Sequence, residues 1–451
     1  MKNRINILLG VLIAVCSRVG WADENTKPTL PDSRLRVVVT TDGEVDDRCS
    51  MNRFLLYTND WDVCGIIHSS SKYHWKGDEG HPGKDWEPVA WLDGMLDAYA
   101  TVYPTLKGHD PNYPSPEYLR SQVFVGNIAR EGDIRQATPG SNHIVKVLLE
   151  ADDRPVWLQA WGGSNTIARA LKTIQEEYPD RVDEVSAKAH LYLITEQDDT
   201  LKTYLRKEWP KLEILRSGGP AFGAIAYRWP AHQSEAQRAY FDESWMTANI
   251  LRGHGALCSL YEAQDKHFRS EGDTPAFLHV INTGLRSEEH PSYGGWGGRF
   301  AFNNSVWKSV DTNDTAPESH SILRWAIDFQ NDWAARADWC VKKYSEANHP
   351  PKVVLSHDER LTAHAGQQLK LDATHSTDPD GDKLSFKWQL YLEASHCQAA
   401  IPLKISHDSS AGFHVPMDAK AGETLHFICT VTDSGSPRIT RYARVIVTVV
   451  D

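Results

Sequence analysis

Residues Val37–Asp47 read Val-Val-Val-Thr-Thr-Asp-Gly-Glu-Val-Asp-Asp, and they constrain the fold more than any other stretch. An unbroken β-branched run predicts a strand buried on both faces, hence a mainly parallel sheet covered by helices. Its polar end, Thr40 and Thr41, marks the carboxyl edge where open α/β sheets place their ligands. Cys49, Phe54, Leu55 and Leu56 follow at helical spacing, so Asp42, Asp46 and Asp47 fall at a strand-to-helix corner. One or two acids there are ordinary capping chemistry. Three repel one another unless a cation lies between them, and a hard divalent ion suits carboxylates best. Spacing alone leaves both a metal site and a capping turn open.

The rest of the first 347 residues repeats the strand–helix theme. Strands are predicted at Val63–His68, Val156–Ala160, Leu191–Thr195 and Leu212–Leu215, and helices at Val89–Val102, Ser141–Glu150 and Thr166–Tyr178. Further on, Ala236–His254 reads as a helix, Ala276–Ile281 as a buried strand and Arg286–Asn304 as a Gly-rich loop. Ser319–Tyr344 reads as a long amphipathic helix that closes the domain. Asn348-His349-Pro350-Pro351 is a linker. Short alternating runs then predict a second, all-β domain over residues 352–451, resembling an immunoglobulin-like sandwich, against 34–347 for the first.

Lys2 and Arg4 precede the apolar run Ile5–Val15, with small residues near Ala22, so residues 1–22 are expected to be a signal peptide. An exported protein, periplasmic or extracellular, follows from that, and no other run approaches a membrane span. A net charge of −12 argues against a nucleic-acid partner. Sixteen tryptophans leave two readings open: core aromatics, or flat surfaces for sugar rings. The remaining cysteines contain no Cys-x-x-Cys pair, which speaks against zinc; Cys397–Cys429 and, less readily, Cys49–Cys64 are the expected bridges.

Asp42-x-x-x-Asp46-Asp47 after an apolar strand resembles the N-terminal signature of the nucleoside hydrolases, Asp-x-Asp-Pro-Gly-x-Asp-Asp, which binds one calcium ion. Thr40 replaces the first Asp, and Gly43-Glu44 replaces Pro-Gly. The Gly-rich run Tyr293–Phe300 and the stretch Phe329–Arg336 resemble more specifically the nucleoside-hydrolase-like proteins with a C-terminal cellulose-binding domain. The resemblance implies a Ca2+-dependent hydrolase of an N- or O-glycosidic bond with water as nucleophile. Asp42 would be metal ligand and general base, Asp47 a bidentate ligand, and Asp46 a partner for a sugar hydroxyl. The turn Trp161-Gly162-Gly163-Ser164-Asn165 resembles the family's Gly-rich turn, so Trp161 would lend a backbone carbonyl to the metal and Asn165 would contact substrate. Asp273, before Thr274-Pro275, sits where the family has its last metal carboxylate; alone it reads as a turn or cap residue, and beside the first motif as a ligand.

Two departures weigh against nucleobase recognition. Gly272 stands where purine-specific members can have a leaving-group His, and Ser69–Trp75 replaces a Gly-Asn sugar loop. Lys72, His74 and Trp75 could meet a larger or charged ligand, or belong to a solvated loop. Trp296 and Arg299, among four glycines, could stack on and fork to a ligand, or anchor a tight loop. In the second domain Trp388 is expected in a sandwich core, and Asp378, Asp380 and Asp382 in a self-bonded turn or a second calcium site. The expected partner is a carbohydrate or sugar conjugate, cellulose among the candidates. The rival reading is a carbohydrate-binding protein with a vestigial pocket.

Overall fold

In a computed structural model, residues 33–310, 318–397 and 406–451 are described. The expected signal peptide lies outside them. Among the described residues no helix is long and apolar enough to cross a membrane.

An eight-stranded sheet forms the framework of the first part, in the order β5-β2-β1-β6-β7-β8-β10-β9. The strands are β1 (Arg36–Thr41), β2 (Asp62–His68), β5 (Val123–Val125), β6 (Val156–Ala160), β7 (Ala189–Ile194), β8 (Glu213–Ser217), β9 (Arg299–Asn303) and β10 (Val306–Val310). Pairing is parallel except for the β9–β10 hairpin at one edge. Alternate β1 residues feed opposite cores: Val37 and Val39 join one cluster, Val38 the other. Two covered faces explain why that run shows no polar alternation. A small hairpin, β3 (Trp75–Asp78) and β4 (His81–Lys84), rises from the loop after β2.

Helices α1 (Val45–Leu55), α2 (Ala90–His109), α4 (Pro139–Leu149) and α5 (Asn165–Glu177) lie where the pattern places them or near it, and a short α3 (Pro116–Ser121) stands between α2 and α4. Later segments differ. The expected strand Ala276–Ile281 is instead a short helix, Thr274–Leu278, with Pro275 in its first turn. A buried apolar run of that length fits either state, and proline at a helix start decides it. Ala236–His254 breaks into short turns of helix, and the expected long helix divides into His320–Leu323 and Ala326–Trp339. The Gly-rich loop contains strand β9.

Six strands, β11 (Arg360–His364), β12 (Gln368–Asp372), β13 (Ser385–Leu390), β14 (Ser410–His414), β15 (Thr424–Thr432) and β16 (Thr440–Val450), make the β-sandwich. A four-stranded sheet β11-β16-β15-β13 packs with the pair β12-β14. Trp388 is buried in their shared core beside Cys429, as expected of a sandwich tryptophan. Cys49 and Cys429 carry free thiols, so neither expected disulfide forms.

The sandwich is joined to the sheet by more than a linker. Tyr442 N donates to Thr283 O at 2.8 Å and Arg444 N to Gly284 O at 3.1 Å, so β16 pairs with a loop of the first part. The buried Arg444 guanidinium donates to the carbonyls of Leu285, Tyr293 and Gly294. Tyr391, Ile428 and Tyr442 enter the larger core of the α/β part.

Candidate functional site

The order of strands reverses at β1, with β2 on one side and β6 on the other, which opens a crevice at their carboxyl ends. Asp42 leaves β1 at this point and Gly162 leaves β6. A Cβ on Gly162 would stand 2.9 Å from Asp42 Cβ and Cγ, so only glycine lets the two turns approach this closely. Glu44 occupies the N-cap position of α1 without a side-chain cap bond, which places Asp46 and Asp47 in the first turn. Asp273 arrives from the far side of the chain, at the N-cap position of the helix Thr274–Leu278, and it too makes no cap bond. The capping reading therefore accounts for neither Asp42 nor Asp273.

Donor atoms of Asp46, Asp47 and Asp273 lie within 4.8 Å of one another, and all three residues are buried. Asp47 Oδ1 accepts from Thr41 Oγ1 at 2.5 Å and from Asp42 N at 3.1 Å, which orients its carboxylate. Asp46 Oδ1 accepts from Tyr227 Oη at 3.1 Å. Both carboxylate oxygens of Asp42 and of Asp273 are buried with no hydrogen-bond partner. Burial, then the Glu44 and Asp42 charges, push the Asp46 carboxyl up to about 7. Burial and neighbouring aspartates likewise raise Asp47 and Asp273 well above the usual carboxylate range. Orphaned carboxylates in a dry, like-charged cluster are what a hard divalent cation satisfies, so these residues fit the metal that the sequence resemblance implies.

A second group completes the rim. Asp42, Glu44 and His74 also bring donor atoms within 4.8 Å of one another. His74 Nδ1 lies 2.5 Å from the Asp85 carbonyl, and its Nε2 faces Glu44 Oε2 at 3.5 Å. Burial lowers the His74 pKa, but Glu44 and the Asp85 carbonyl outweigh it and raise the ring to about 9. Tyr227 Oη reaches Glu44 Oε1 at 2.8 Å as well as Asp46. Glu44 stood in the sequence within the acidic turn and was readable there. Tyr227 lies in a stretch with no clear period, and no local signal marks it.

Other expected residues lie elsewhere or are otherwise engaged. The Trp161 carbonyl already accepts from Gln197 Nε2 at 2.5 Å, and its indole packs between Phe54 and Phe277. Asn165 is fully buried; its amide donates to Ser70 Oγ and Asn127 O while its Oδ1 accepts from Ser69. It ties the β2 and β6 turns together and has no face left for substrate. Trp296 is buried in the junction with the sandwich, its Nε1 3.3 Å from Tyr442 Oη, and Arg299 donates to the Glu393 carbonyl. Neither is brought to the acidic corner, because the glycines around Trp296 shape the contact between the two parts. Lys72 donates to Glu196 O, and Trp75 stacks on His81 in the β3–β4 hairpin. Asp378 Oδ1 accepts from Asp380 N and Asp382 N, Asp380 holds His349, and Asp382 accepts from Ser434, which makes the turn self-bonded.

Gly272 is hemmed in: a Cβ there would lie 2.0 Å from Phe222 Cε2 and 2.6 Å from Asp46 Oδ2. Phe222 thus fills the space that a side chain at position 272 would need. Phe222 and Tyr227 also line a cavity of about 370 Å³ with Pro220, Ala226 and His232.

Comparison with known proteins agrees with this architecture. Residues 36–300 match the family described as cellulose-binding Sde182, nucleoside hydrolase-like domain, and residues 368–449 match the C-terminal domain of cellulose-binding protein Sde0182. A nucleoside hydrolase-related protein from Saccharophagus degradans, associated with carbohydrate metabolism, is 32% identical with a TM-score of 0.78. That similarity covers 92% of this chain and 100% of that one. A plant nucleoside hydrolase is 11% identical (68% of this chain, 99% of that chain, TM-score 0.36), and an inosine-guanosine nucleoside hydrolase 12% (68% and 98%, TM-score 0.32). No curated protein matches. With its sheet and its sandwich both accounted for, this chain belongs to the Sde182 family of cellulose-binding proteins with a nucleoside hydrolase-like domain.

Proposed function

We propose that this protein is an exported, calcium-dependent hydrolase of an N- or O-glycosidic bond in a sugar conjugate. Residues 352–451 would hold carbohydrate, cellulose among the candidates. One observation carries the reading: Asp42 and Asp273 are buried carboxylates without partners, Asp273 grouped with Asp46 and Asp47 and Asp42 joined to Asp47 through its backbone N–H. The family's cellulose-binding description supports the carbohydrate partner. The basic and apolar N-terminal stretch supports export.

Asp42, Asp47 and Asp273 would hold the cation, and the Trp161 carbonyl, which already accepts from Gln197, would lend its second lone pair. When bound, calcium supplies positive charge that acidifies nearby water and grips paired sugar hydroxyls. Asp42 takes the proton of the attacking water on a carboxylate oxygen. Asp46, steered by Tyr227, accepts from a sugar hydroxyl. The remaining carboxylate charge stabilises the cationic anomeric carbon as the leaving group departs. Lys72 and Trp75, just before and in the β3–β4 hairpin, would be contacts for a larger conjugate only on leaving their present partners, Glu196 O and His81.

Calorimetric titration of calcium into chelator-stripped protein, beside Asp42→Ala and Asp47→Ala, tests the first step. Binding that disappears in both variants supports the site, and nucleosides and small glycosides are then screened for calcium-dependent release. Wild-type protein that takes up no calcium sinks the hydrolase reading.

A second reading, a binding protein with a vestigial pocket, is favoured by Phe222 packed against Gly272, which leaves no room for a leaving-group side chain at that position. Calcium uptake with sugar binding but no turnover would select it.

A further inference from the structure

The corner gathers more carboxyl groups than one divalent ion can balance. Asp273 feels the carboxylates of Asp47, Asp46, Asp42 and Glu44 together, so five acids share one small volume. Within it the donors separate by type. Asp46, Asp47 and Asp273 offer oxygen alone, whereas Asp42 and Glu44 stand with an imidazole, that of His74.

Three details mark the second group as built to receive an ion. Both oxygens of Asp42, which is 1% exposed, lack hydrogen-bond partners. The Asp85 carbonyl can only accept, so His74 Nδ1 carries a hydrogen and Nε2 is the nitrogen left to face Glu44 and, once its proton is displaced, to bind an ion. A carbonyl fixing the far nitrogen in this way is the usual support of a metal-binding histidine. Tyr227 engages Glu44 Oε1 and leaves Oε2 toward His74, yet Oε2 and Nε2 stay 3.5 Å apart, longer than a direct hydrogen bond. Donors around one ion at about 2.1–2.3 Å lie no more than about 4.6 Å apart, and the 3.5 Å between Nε2 and Oε2 falls inside that limit.

We propose that Asp42, Glu44 and His74 form a second cation site, beside the oxygen-only set, that prefers a first-row transition ion such as Mn2+ or Zn2+ to Ca2+. A nitrogen donor shifts preference from calcium toward such ions. In the ion-free protein a proton on Nε2 meets part of the same electrostatic need, and ion uptake displaces it. Asp42 stands between the two groups and can serve both. The inference builds on the reading that Asp42, Asp47 and Asp273 hold calcium, but it makes a separate claim about stoichiometry and ligand type.

Native mass spectrometry of chelator-stripped full-length protein, given Ca2+ alone, Mn2+ alone and both, counts the ions. Pulsed electron paramagnetic resonance of the manganese form reads whether nitrogen is a ligand. Two ions with both metals present, and a 14N coupling, are expected. His74→Ala should lose the manganese ion and the coupling while keeping calcium. Glu44→Gln should weaken manganese at least about tenfold with calcium unchanged. A single ion under every condition, manganese without nitrogen coupling, or two ions retained in His74→Ala each overturns the proposal. Manganese with its nitrogen coupling but no calcium anywhere would sink the calcium reading and leave this one standing.

Discussion

Asp332, on the helix Ala326–Trp339, accepts a 2.6 Å hydrogen bond from the Arg441 guanidinium of β16 and a 3.1 Å bond from Arg336 Nε. The carboxylate is buried between two cations that belong to different parts of the molecule. Burial pulls its pKa up, but Arg441 and Arg336 outweigh it and hold the group at about 2. The folded value lies below the unfolded one, so this stabilisation is present in full above about pH 4 and is lost as pH falls toward 2. It amounts to about 2 kcal/mol. Thermal unfolding followed from pH 6 to pH 2 should show a decline that Asp332→Asn flattens; an unchanged profile in that variant would remove Asp332 from the account.

Gly284→Ala should separate the two parts. Gly284 has φ +87°, and a Cβ there would fall 1.9 Å from Tyr442 O. The substitution costs backbone strain and also breaks the β16 pairing, together roughly 2–4 kcal/mol. Calorimetry should then resolve two unfolding transitions where wild type gives one, and limited proteolysis should cut faster at the buried Asn348-His349 link.

Gly162→Ala should damage the acidic corner and spare the fold. The new methyl displaces Asp42 by a few tenths of an ångström, and donors that must converge on one ion tolerate little of that. Calcium affinity should fall about 10–100-fold, with the circular dichroism spectrum unchanged. Equal affinity in the two proteins would show that Asp42 is not a ligand.

Chelation should destabilise the protein. Calcium at about 100 times its dissociation constant contributes about 2.7 kcal/mol by mass action. The melting temperature should drop on adding chelator and return with calcium, and Asp47→Ala should show neither change.

The acidic corner was legible because its signal is local. Strand, turn and helix follow within Val37–Leu55, and the like charges of Asp42, Asp46 and Asp47 call for an explanation wherever that turn lies. Asp273 needed the family pattern, since nothing in its own neighbourhood distinguishes a ligand from a cap. Trp296 and Arg299 looked ligand-facing because glycine beside tryptophan suits either a pocket or a tight junction. The choice was made by β16, whose Tyr442 lies 146 residues further on. Asn165 resembled a substrate contact by position, but Ser69 and Ser70 replace the family's loop and take its amide for themselves. Tyr227 and Phe222 meet the corner only through tertiary packing, which no period announces.

The pairing of β16 with Thr283 and Gly284 makes the sandwich a poor candidate for shuffling. Cut free, it would bring along a buried arginine, Arg444, stripped of three carbonyls that another part of the chain supplies. A working graft onto a different protein would have to carry the Thr283–Arg299 loop with it, so the heritable module here is the seam together with what lies on either side of it.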